Sequence, residues 1–200
     1  MTIAVDSNID DKAASALLPA IRFAIVAIIL FGLLYPALAT FAGGILFPAQ
    51  ANGSLITRDG KAVGSSLVAQ NFVGDNYFQS RPSAASYDPR AMAGSNLAST
   101  NPALRERIVE SSKVISAREN IAATAIPADM VTTSGSGIDP HISPEAAKVQ
   151  INRVAKARGL TAEQVQALID ANTQAPTFGL LGQARVNVLQ LNLALDAIKR

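Results

Sequence analysis

The sequence lacks cysteine and tryptophan and is poor in the residues that most enzymes use for chemistry. In 200 residues it has no cysteine, one histidine and 5% aromatic residues. The absence of cysteine excludes disulfides, thiolate metal sites and cysteine nucleophiles, and it fits a periplasmic domain without requiring one. A single histidine cannot form a histidine-based metal cluster. The scarcity of aromatic residues argues against a carbohydrate-binding or hydrophobic-ligand cleft.

Common catalytic motifs are absent as well. The chain has neither the Gly-x-x-x-x-Gly-Lys-Ser/Thr phosphate loop nor a Gly-x-Ser-x-Gly nucleophile elbow. Glu106, Glu110 and Glu119 fall in a predicted helix, where charge ordinarily marks a solvated face. The net charge of +2 is spread without a basic stripe, which does not favour nucleic-acid binding. The sequence therefore predicts a binding module with no catalytic and no metal-binding residues.

A long apolar run near the N-terminus is the strongest positive feature. Residues Phe23 to Phe47 carry no charge, and at about 1.5 Å per residue such a helix crosses a hydrocarbon core of roughly 30 Å. Pro36, Gly43 and Gly44 interrupt the run, and membrane helices tolerate such residues where neighbouring helices pack against them. We predict three segments: a short cytoplasmic tail (1–20), a transmembrane helix (21–47) that packs against a partner helix, and a periplasmic domain (48–200).

The same run also has features of a cleaved signal peptide. Arg22 precedes it, and Ala37-Leu38-Ala39 has the form of a cleavage site. However, the run starts late, after an acidic tail (Asp6, Asp10, Asp11), and stays apolar beyond that site, which favours an uncleaved anchor. The Lys/Arg count on the two sides is tied. Because Arg22 lies directly at the membrane boundary, we predict a cytoplasmic N-terminus and an external domain.

The rest of the chain predicts an α+β domain with a small β-hairpin and several helices. Asp59-Gly60 lies between two β-prone runs, which is a strong hairpin signal. Residues 67–73 predict a further strand or a short helix, and residues 130–133 predict a strand. The stretch 74–102, rich in Asn, Ser, Pro and Gly, predicts an ordered irregular loop held to the domain by its aromatic rings.

Capping residues mark the predicted helices of this domain. Each helix starts at a polar side chain that can accept a backbone hydrogen bond, followed by apolar residues at helical spacing. The predicted caps are Asn101, Ser143, Thr161, which forms a capping box with Gln164, and Asn187. Gly159 is the predicted end of the helix that begins at Ser143. The last segment, 186–198, also fits strand alternation, but its length favours a helix.

Asp139 and His141 flank Pro140 just before a predicted helix start. A Ser-His-Asp triad would have to use His141, because it is the only histidine. We favour a turn in which Asp139 caps backbone amides and His141 lies at the surface.

Short motifs occur in a fixed order along nearly the whole chain. They are GSSLVAQ (64–70), YFQSRPSA (77–84), GSNL (94–97), TNP (100–102), GIDPHISP (137–144), RVAKARGL (153–160) and RVNVLQLNLALD (185–196). Each is weak alone, but in this order and spacing, and with one N-terminal membrane helix, the chain resembles the C subunit of the bacterial Kdp potassium-transporting ATPase.

The resemblance implies an accessory role in a larger transport complex of the bacterial inner membrane. The implied partners are a channel-like potassium-binding subunit, a P-type ATPase subunit and a small single-span subunit, which together handle ATP and potassium. The implied function is assembly of the complex and support of ATP binding as a "catalytic chaperone". The P-type phosphorylation signature Asp-Lys-Thr-Gly does not occur in this chain, which fits a non-catalytic subunit.

An external domain cannot touch cytoplasmic ATP, so this effect would have to pass through partner helices. Direct nucleotide contact, for which Gly94, Ser95, Asn96 and Gln150 are the candidates, would require the opposite topology and is disfavoured.

We predict that the membrane helix and the Tyr77–Asn101 loop hold the domain over the outer mouth of the channel-like subunit. The candidate partner-surface residues are Arg81, Asn96, Asn101, Asp139 and His141. Alternatively, Arg81 and Asn96 only tie the loop to its own domain, because a loop outside regular ladders must satisfy its backbone with side chains. Two other classes stay open: a membrane-anchored periplasmic binding protein, and an anchored hydrolase that depends on His141.

Overall fold

The structure, a computed structural model, describes residues 7–198, with side chains from residue 16 onward. The predicted tail (1–20) is therefore described only in part, and its acidic side chains Asp6, Asp10 and Asp11 lie outside the described set. The chain forms two compact units that meet in sequence between Gly53 and Ser54. Helices and small antiparallel sheets occur together, which confirms the predicted α+β class.

The first unit is helical over most of its length. Helix α1 (Ser7–Ala27) continues into a π-helical segment (Ile28–Leu34) and then into α2 (Tyr35–Leu46), and the short α3 (Pro48–Ala51) follows. The apolar stretch Ala16–Leu46 has 31 residues, and none of its apolar window is buried. By length and composition, this one helix is suited to cross a membrane.

The three predicted helix-packing residues lie within this helix without ending it. Proline lacks an N–H, and its ring crowds the carbonyl four residues earlier. Just before Pro36, the Tyr35 N–H donates to the Leu30 carbonyl, five residues back, and this wider turn accommodates the ring. A Cβ added at Gly43 or Gly44 would meet nothing within 4 Å. The small-residue surface is thus open, and its packing against a partner helix stays a prediction.

The second unit begins with the predicted hairpin. Strands β1 (Leu55–Arg58) and β2 (Lys61–Ser65) pair antiparallel, with Arg58 opposite Lys61. Asp59 and Gly60 have φ values of 51° and 75°, the left-handed conformation that the two-residue turn requires. The hairpin prediction is confirmed.

A long irregular segment connects the hairpin to the next helix. The prediction of a strand or helix at 67–73 is wrong, because these residues form a turn followed by irregular chain. The Ala69 N–H donates to the Ile138 carbonyl at 2.8 Å, but this is an isolated hydrogen bond and not part of a β-ladder. The irregular loop predicted over 74–102 is confirmed, with only turns and bends as far as Asn101.

Helices dominate the remainder of the second unit. They are α4 (Pro102–Glu119), α5 (Ala128–Val131), α6 (Pro144–Val149), α7 (Ile151–Arg158), α8 (Ala162–Ala171) and α9 (Val188–Ala197). The four predicted caps are confirmed, since each side chain accepts a backbone hydrogen bond: Asn101, Ser143, Thr161 and Asn187. Gly159, with φ of 65°, ends α7 as predicted, although the helix from Ser143 breaks once, at Gln150.

The strand predicted at 130–133 is wrong, because Ala128–Val131 forms the helical turn α5. The side chains of Met130 and Val131 are both buried, and two adjacent buried apolar residues are as compatible with a strand as with one helical turn. Pro127 precedes the turn, and the Thr132 N–H closes it onto the Ala128 carbonyl at 3.0 Å.

A second small sheet gathers distant segments of the chain. Strands β3 (His141–Ile142) and β4 (Thr173–Gln174) both pair antiparallel with the central β5 (Arg185–Asn187). The ambiguous C-terminal segment, 186–198, contains the end of β5 followed directly by α9. The helix that the length of this segment favoured is therefore confirmed. The core beneath the sheet joins Phe78 of the irregular loop to apolar side chains of α4 through α9: Ile115, Met130, Ala147, Val154, Val165, Ile169, Leu191 and Leu195.

Candidate functional site

The irregular loop is anchored to the domain by its aromatic residues. The Phe78 side chain is fully buried. The Tyr77 hydroxyl donates to Asp196 Oδ2 at 3.3 Å, and the Arg158 guanidinium lies 4.7 Å from the centroid of the Tyr77 ring. The Tyr87 hydroxyl donates to the Arg81 carbonyl at 3.0 Å, and burial raises the pKa of this phenol. The prediction of an ordered loop held by its rings is confirmed.

Two buried amides pair with the loop backbone as neighbouring strands would. Asn192 Oδ1 accepts from the Phe78 N–H at 2.9 Å, and Asn192 Nδ2 donates to the Phe78 carbonyl at 2.9 Å. The Gln150 side chain pairs in the same way with Gln79, the residue after Phe78. Its Oε1 accepts from the Gln79 N–H at 2.8 Å, and its Nε2 donates to the Gln79 carbonyl at 3.2 Å. The loop backbone is therefore satisfied by side chains from α9 and from the break between α6 and α7.

Gln150 has no hydrogen-bonding capacity left for a nucleotide. Besides its two bonds to Gln79, its Nε2 donates to the Ala146 carbonyl at 3.2 Å, and its Oε1 accepts from Arg153 Nη2 at 2.7 Å. The residue is 1% exposed. An amide of this kind has two donors and two acceptor sites, so all four are used inside the domain.

A buried ion pair supports the same loop. Arg153 Nε lies 3.0 and 3.1 Å from the two carboxylate oxygens of Glu119. Its Nη1 donates to the carbonyls of Asp75 and Tyr77 at 2.8 and 2.9 Å. The Glu119 side chain is also paired with Arg118 Nε, at 2.7 Å, and has no exposed surface. The prediction that Glu119 belongs to a solvated face is therefore wrong.

A spacing in the sequence pointed to this burial. Glu119 follows the core residue Ile115 by four positions, and residues four apart lie on the same face of a helix. The charge of Glu119 favours an exposed position, whereas this spacing favours a buried one. Arg153, next to the inward-facing Val154, was also missed, although it carries one of the most connected side chains in the domain.

Arg81 links the loop to the segment before β3. Its Nη1 lies 3.2 Å from Asp139 Oδ2, and its Nη2 donates to the Thr133 carbonyl at 3.4 Å. Its Nε is buried without a hydrogen-bond partner among the described residues. Arg81 thus makes the intradomain contacts that the alternative interpretation of the loop expected.

Asp139 forms the predicted cap. Its Oδ1 accepts from the His141 N–H at 3.0 Å and lies 3.3 Å from His141 Nδ1. Partial burial alone would raise the pKa of the Asp139 carboxyl, but the hydrogen bonds from His141 and the charge of Arg81 outweigh it and lower the pKa. The His141 side chain is only 26% exposed, so the predicted surface position is a partly covered one. These three residues line an open polar cleft together with Asp129, Glu145 and Arg185.

The other predicted site residues occupy separate surroundings. Ser95 Oγ lies 3.1 Å from Thr133 Oγ1, and a Cβ on Gly94 would approach the Gly135 carbonyl oxygen to 2.8 Å. Asn96 is exposed, with φ of 48°. The candidates at 94–96 therefore border residues 133–135, whereas Gln150 lies in the core beneath Gln79.

Asn101 is the cap of α4, because its Oδ1 accepts from the Ala103 N–H at 3.0 Å. This oxygen is therefore already used within the domain. Within the described part of the chain, no group of three His, Asp or Glu side chains is placed to hold a metal ion.

Comparison with known proteins adds a family match over nearly the whole chain. A family model described as "KdpC: K+-transporting ATPase, c chain" matches residues 17–197. The match thus includes both the apolar helix and the second unit.

Individual proteins agree with this match, and each of three examples is named "Potassium-transporting ATPase KdpC subunit". The protein of Shewanella putrefaciens is 53% identical over 180 residues, which is 90% of either chain. That of Xanthomonas campestris pv. campestris strain B100 is 51% identical over 94% of this chain and 88% of its own. That of Polaromonas naphthalenivorans is 50% identical over 90% of this chain and 94% of its own.

Proposed function

This chain belongs to the KdpC family of potassium-transporting ATPase subunits, and we propose that it is the non-catalytic accessory subunit that assembles and stabilises an ATP-driven potassium import complex. The proposed partners are a channel-like potassium-binding subunit, a P-type ATPase subunit and a small single-span subunit. The proposal rests on the sequence match to this family, at about 50% identity over most of the chain, which includes the apolar helix and the folded domain.

We place the chain in the bacterial inner membrane as a single-pass protein with a cytoplasmic N-terminus and an external domain. The unburied apolar stretch of 31 residues supports the anchor, and Arg22 at the membrane boundary supports the orientation. The Tyr77–Asn101 loop would then hold the domain over the outer mouth of the channel-like subunit. Because Arg81 and Asn101 already bond within the domain, the exposed Asn96 is the best placed of the loop candidates for a partner contact.

The proposed role in ATP binding is indirect. All four hydrogen-bonding sites of Gln150 are used inside the domain, which supports a mechanism without a nucleotide site on this chain. An effect on ATP affinity then requires that the chain contact two states of its partners with different free energies. The unfilled surface at Gly43 and Gly44 provides one place for such contacts with partner helices.

His141 and Ser143 also have non-catalytic contacts. His141 Nδ1 faces Asp139, whereas Ser143 Oγ lies 3.1 Å from Asp129 Oδ1 and caps α6 by accepting from the Ala146 N–H at 3.0 Å. In a nucleophilic site the serine would face the histidine. This arrangement supports an accessory protein over a hydrolase.

The test is purification of the tagged chain from detergent-solubilised membranes, followed by ATPase assays. We expect the large membrane subunits to copurify and the KM for ATP to rise when this chain is omitted from the complex. Ser95→Ala should leave that KM unchanged, because we place no nucleotide at this residue and its hydroxyl already contacts Thr133 Oγ1 within the domain. Recovery of the wild-type chain alone would contradict the assembly role, and a KM that is the same without it would contradict the chaperone role.

A further inference from the structure

The loop at 175–184 presents large apolar side chains to solvent. It joins β4 to β5, and the exposed fractions of Phe178, Leu180 and Leu181 are 89%, 86% and 62%. Scattered single apolar residues are normal at a protein surface. Three large, highly exposed apolar side chains within four residues are instead typical of an interaction site. This loop has no role in the function proposed above.

Backbone hydrogen bonds within the loop define the shape of its tip. Thr177 and Leu181 exchange two backbone hydrogen bonds, each 2.9 Å long, and the Gly179 N–H donates to the Pro176 carbonyl at 2.9 Å. Phe178 lies in the left-handed region with φ of 56°, which is uncommon for a bulky side chain and unfavourable in free energy. The turn therefore holds the Phe178 ring in a position that a relaxed loop would not maintain.

The loop is flanked by paired strands, and it contains no charged residue. β5 pairs with both β3 and β4, and Val186 within it is fully buried. Between Asp170 and Arg185 the sequence contains no acidic or basic residue. The centres of protein interfaces show the same features, namely depletion of charge and rigid apolar or aromatic anchors.

We propose that Phe178, Leu180 and Leu181 insert into an uncharged, apolar cleft on another subunit of the potassium-transporting complex. This inference rests on the proposed function, because it presupposes that the chain is assembled with partners. The lack of charge along the loop matches an apolar cleft, which would receive no desolvated ion. A lipid bilayer is the less suitable occupant, since fluid lipid adapts to any apolar shape and needs no strained turn. Segments that lie on membranes also carry Lys or Arg for the headgroups, and this loop has none.

The first test compares two identical substitutions at different places. Leu180→Asp places a charge in the proposed contact, whereas Leu67→Asp is the matched control on a leucine that is 59% exposed elsewhere in the unit. We expect Leu180→Asp to lower recovery of the partner subunits on the tagged full-length chain by about tenfold or more, with Leu67→Asp at the wild-type level. Circular dichroism of both variants should match the wild type, because both leucines are exposed.

The outcomes separate the two proposals. If the wild-type chain recovers no partner subunits, the proposed function fails, and the loop proposal fails with it. If the wild type recovers them and both aspartate variants do so equally, the loop proposal alone is overturned.

A second measurement keeps the loop proposal testable if Leu180→Asp fails to fold. A benzophenone amino acid replaces Phe178, and in a separate chain Leu67, within the intact complex in its native membrane. We expect irradiation to attach position 178, and not position 67, to an identified subunit of the complex. Attachment to lipid alone, no adduct, or equal yields at the two positions would overturn the proposal.

Discussion

At Arg153, a guanidinium whose side chain is 6% exposed binds one carboxylate and two loop carbonyls. A buried ion pair is weak support for stability by itself, because desolvation of both charges offsets their attraction. Here the guanidinium also satisfies the carbonyls of Asp75 and Tyr77, which lie in a segment without a ladder. Its removal therefore affects the irregular loop as well as the charge of Glu119.

We predict that Arg153→Met lowers the free energy of unfolding by about 3 kcal/mol, because it leaves a buried carboxylate with a single cationic partner. Urea unfolding of the detergent-solubilised chain, followed by circular dichroism, measures this. Arg105→Met, on the exposed face of the same domain, is the matched control and should change stability by no more than about 0.5 kcal/mol. Equal effects of the two substitutions would contradict the prediction.

The carboxyl of Asp139 makes stability depend on pH in a definite direction. Its pKa is lowered in the folded domain, because His141 and Arg81 favour the ionised form more than partial burial opposes it. The stabilisation is therefore complete above the ordinary pKa of about 3.9 and is lost as the pH falls through the lower, folded value.

Asp139→Asn removes this titration and keeps an oxygen that can accept from the His141 N–H. We expect the difference in free energy of unfolding between wild type and Asp139→Asn to shrink as the pH falls below about 4. Urea midpoints measured across this range test the expectation. A difference that does not change with pH would show that Asp139 contributes through its shape alone.

Asn101, at the start of α4, has two roles that the sequence left open. It was predicted both as the cap of α4 and as a partner contact, and its Oδ1 accepts from the Ala103 N–H at 3.0 Å. We expect Asn101→Ala to lower the free energy of unfolding by about 1 kcal/mol and Asn101→Ser to restore most of it, because serine caps as well as asparagine.

The same variants test the partner role. If Asn101 acts only as a cap, Asn101→Ser should recover partner subunits as the wild type does. Loss of partners in Asn101→Ser, with stability preserved, would instead assign the side chain to an interface.

Local chemistry explains which elements the sequence could predict. The caps at Ser143 and Thr161 and the Asp59-Gly60 turn depend on neighbours within a few residues, and all three are confirmed. The two-residue strand at His141–Ile142 exists because it pairs with Arg185–Asn187, far along the chain. A pattern read along the sequence contains no information on such pairing, so the second sheet was not predicted.

The candidate site also contains features that depend on nearby residues and features that depend on distant ones. The Asp139 cap was predicted from its turn, whereas the role of Gln150 depends on a loop some seventy residues earlier. The exposed apolar tip at Phe178 and Leu180 was also missed, because apolar residues in a sequence are ordinarily assigned to the core. Only the folded structure shows that the side chains of Phe178 and Leu180 are exposed to solvent and lie outside the core.

The long apolar helix determines where the domain can act. The stretch Ala16–Leu46 has 31 residues, which is about 46 Å at 1.5 Å per residue and exceeds a hydrocarbon core of about 30 Å. The excess length permits tilt or an extension beyond the core. Arg22, near one end of this stretch, has a side chain long enough to reach the headgroups.

We predict that protease added to spheroplasts digests the domain from residue 48 onward and leaves the N-terminal helix in the membrane. A C-terminal tag should disappear from intact spheroplasts, whereas an N-terminal tag should disappear only after lysis. A protected C-terminal tag would place the domain in the cytoplasm. Residues Gly94, Ser95 and Asn96 would then become accessible to ATP, and coupling through partner helices would no longer be required. A mature chain that begins at Thr40 would instead mean that the helix is a cleaved signal, and the domain would have no anchor of its own.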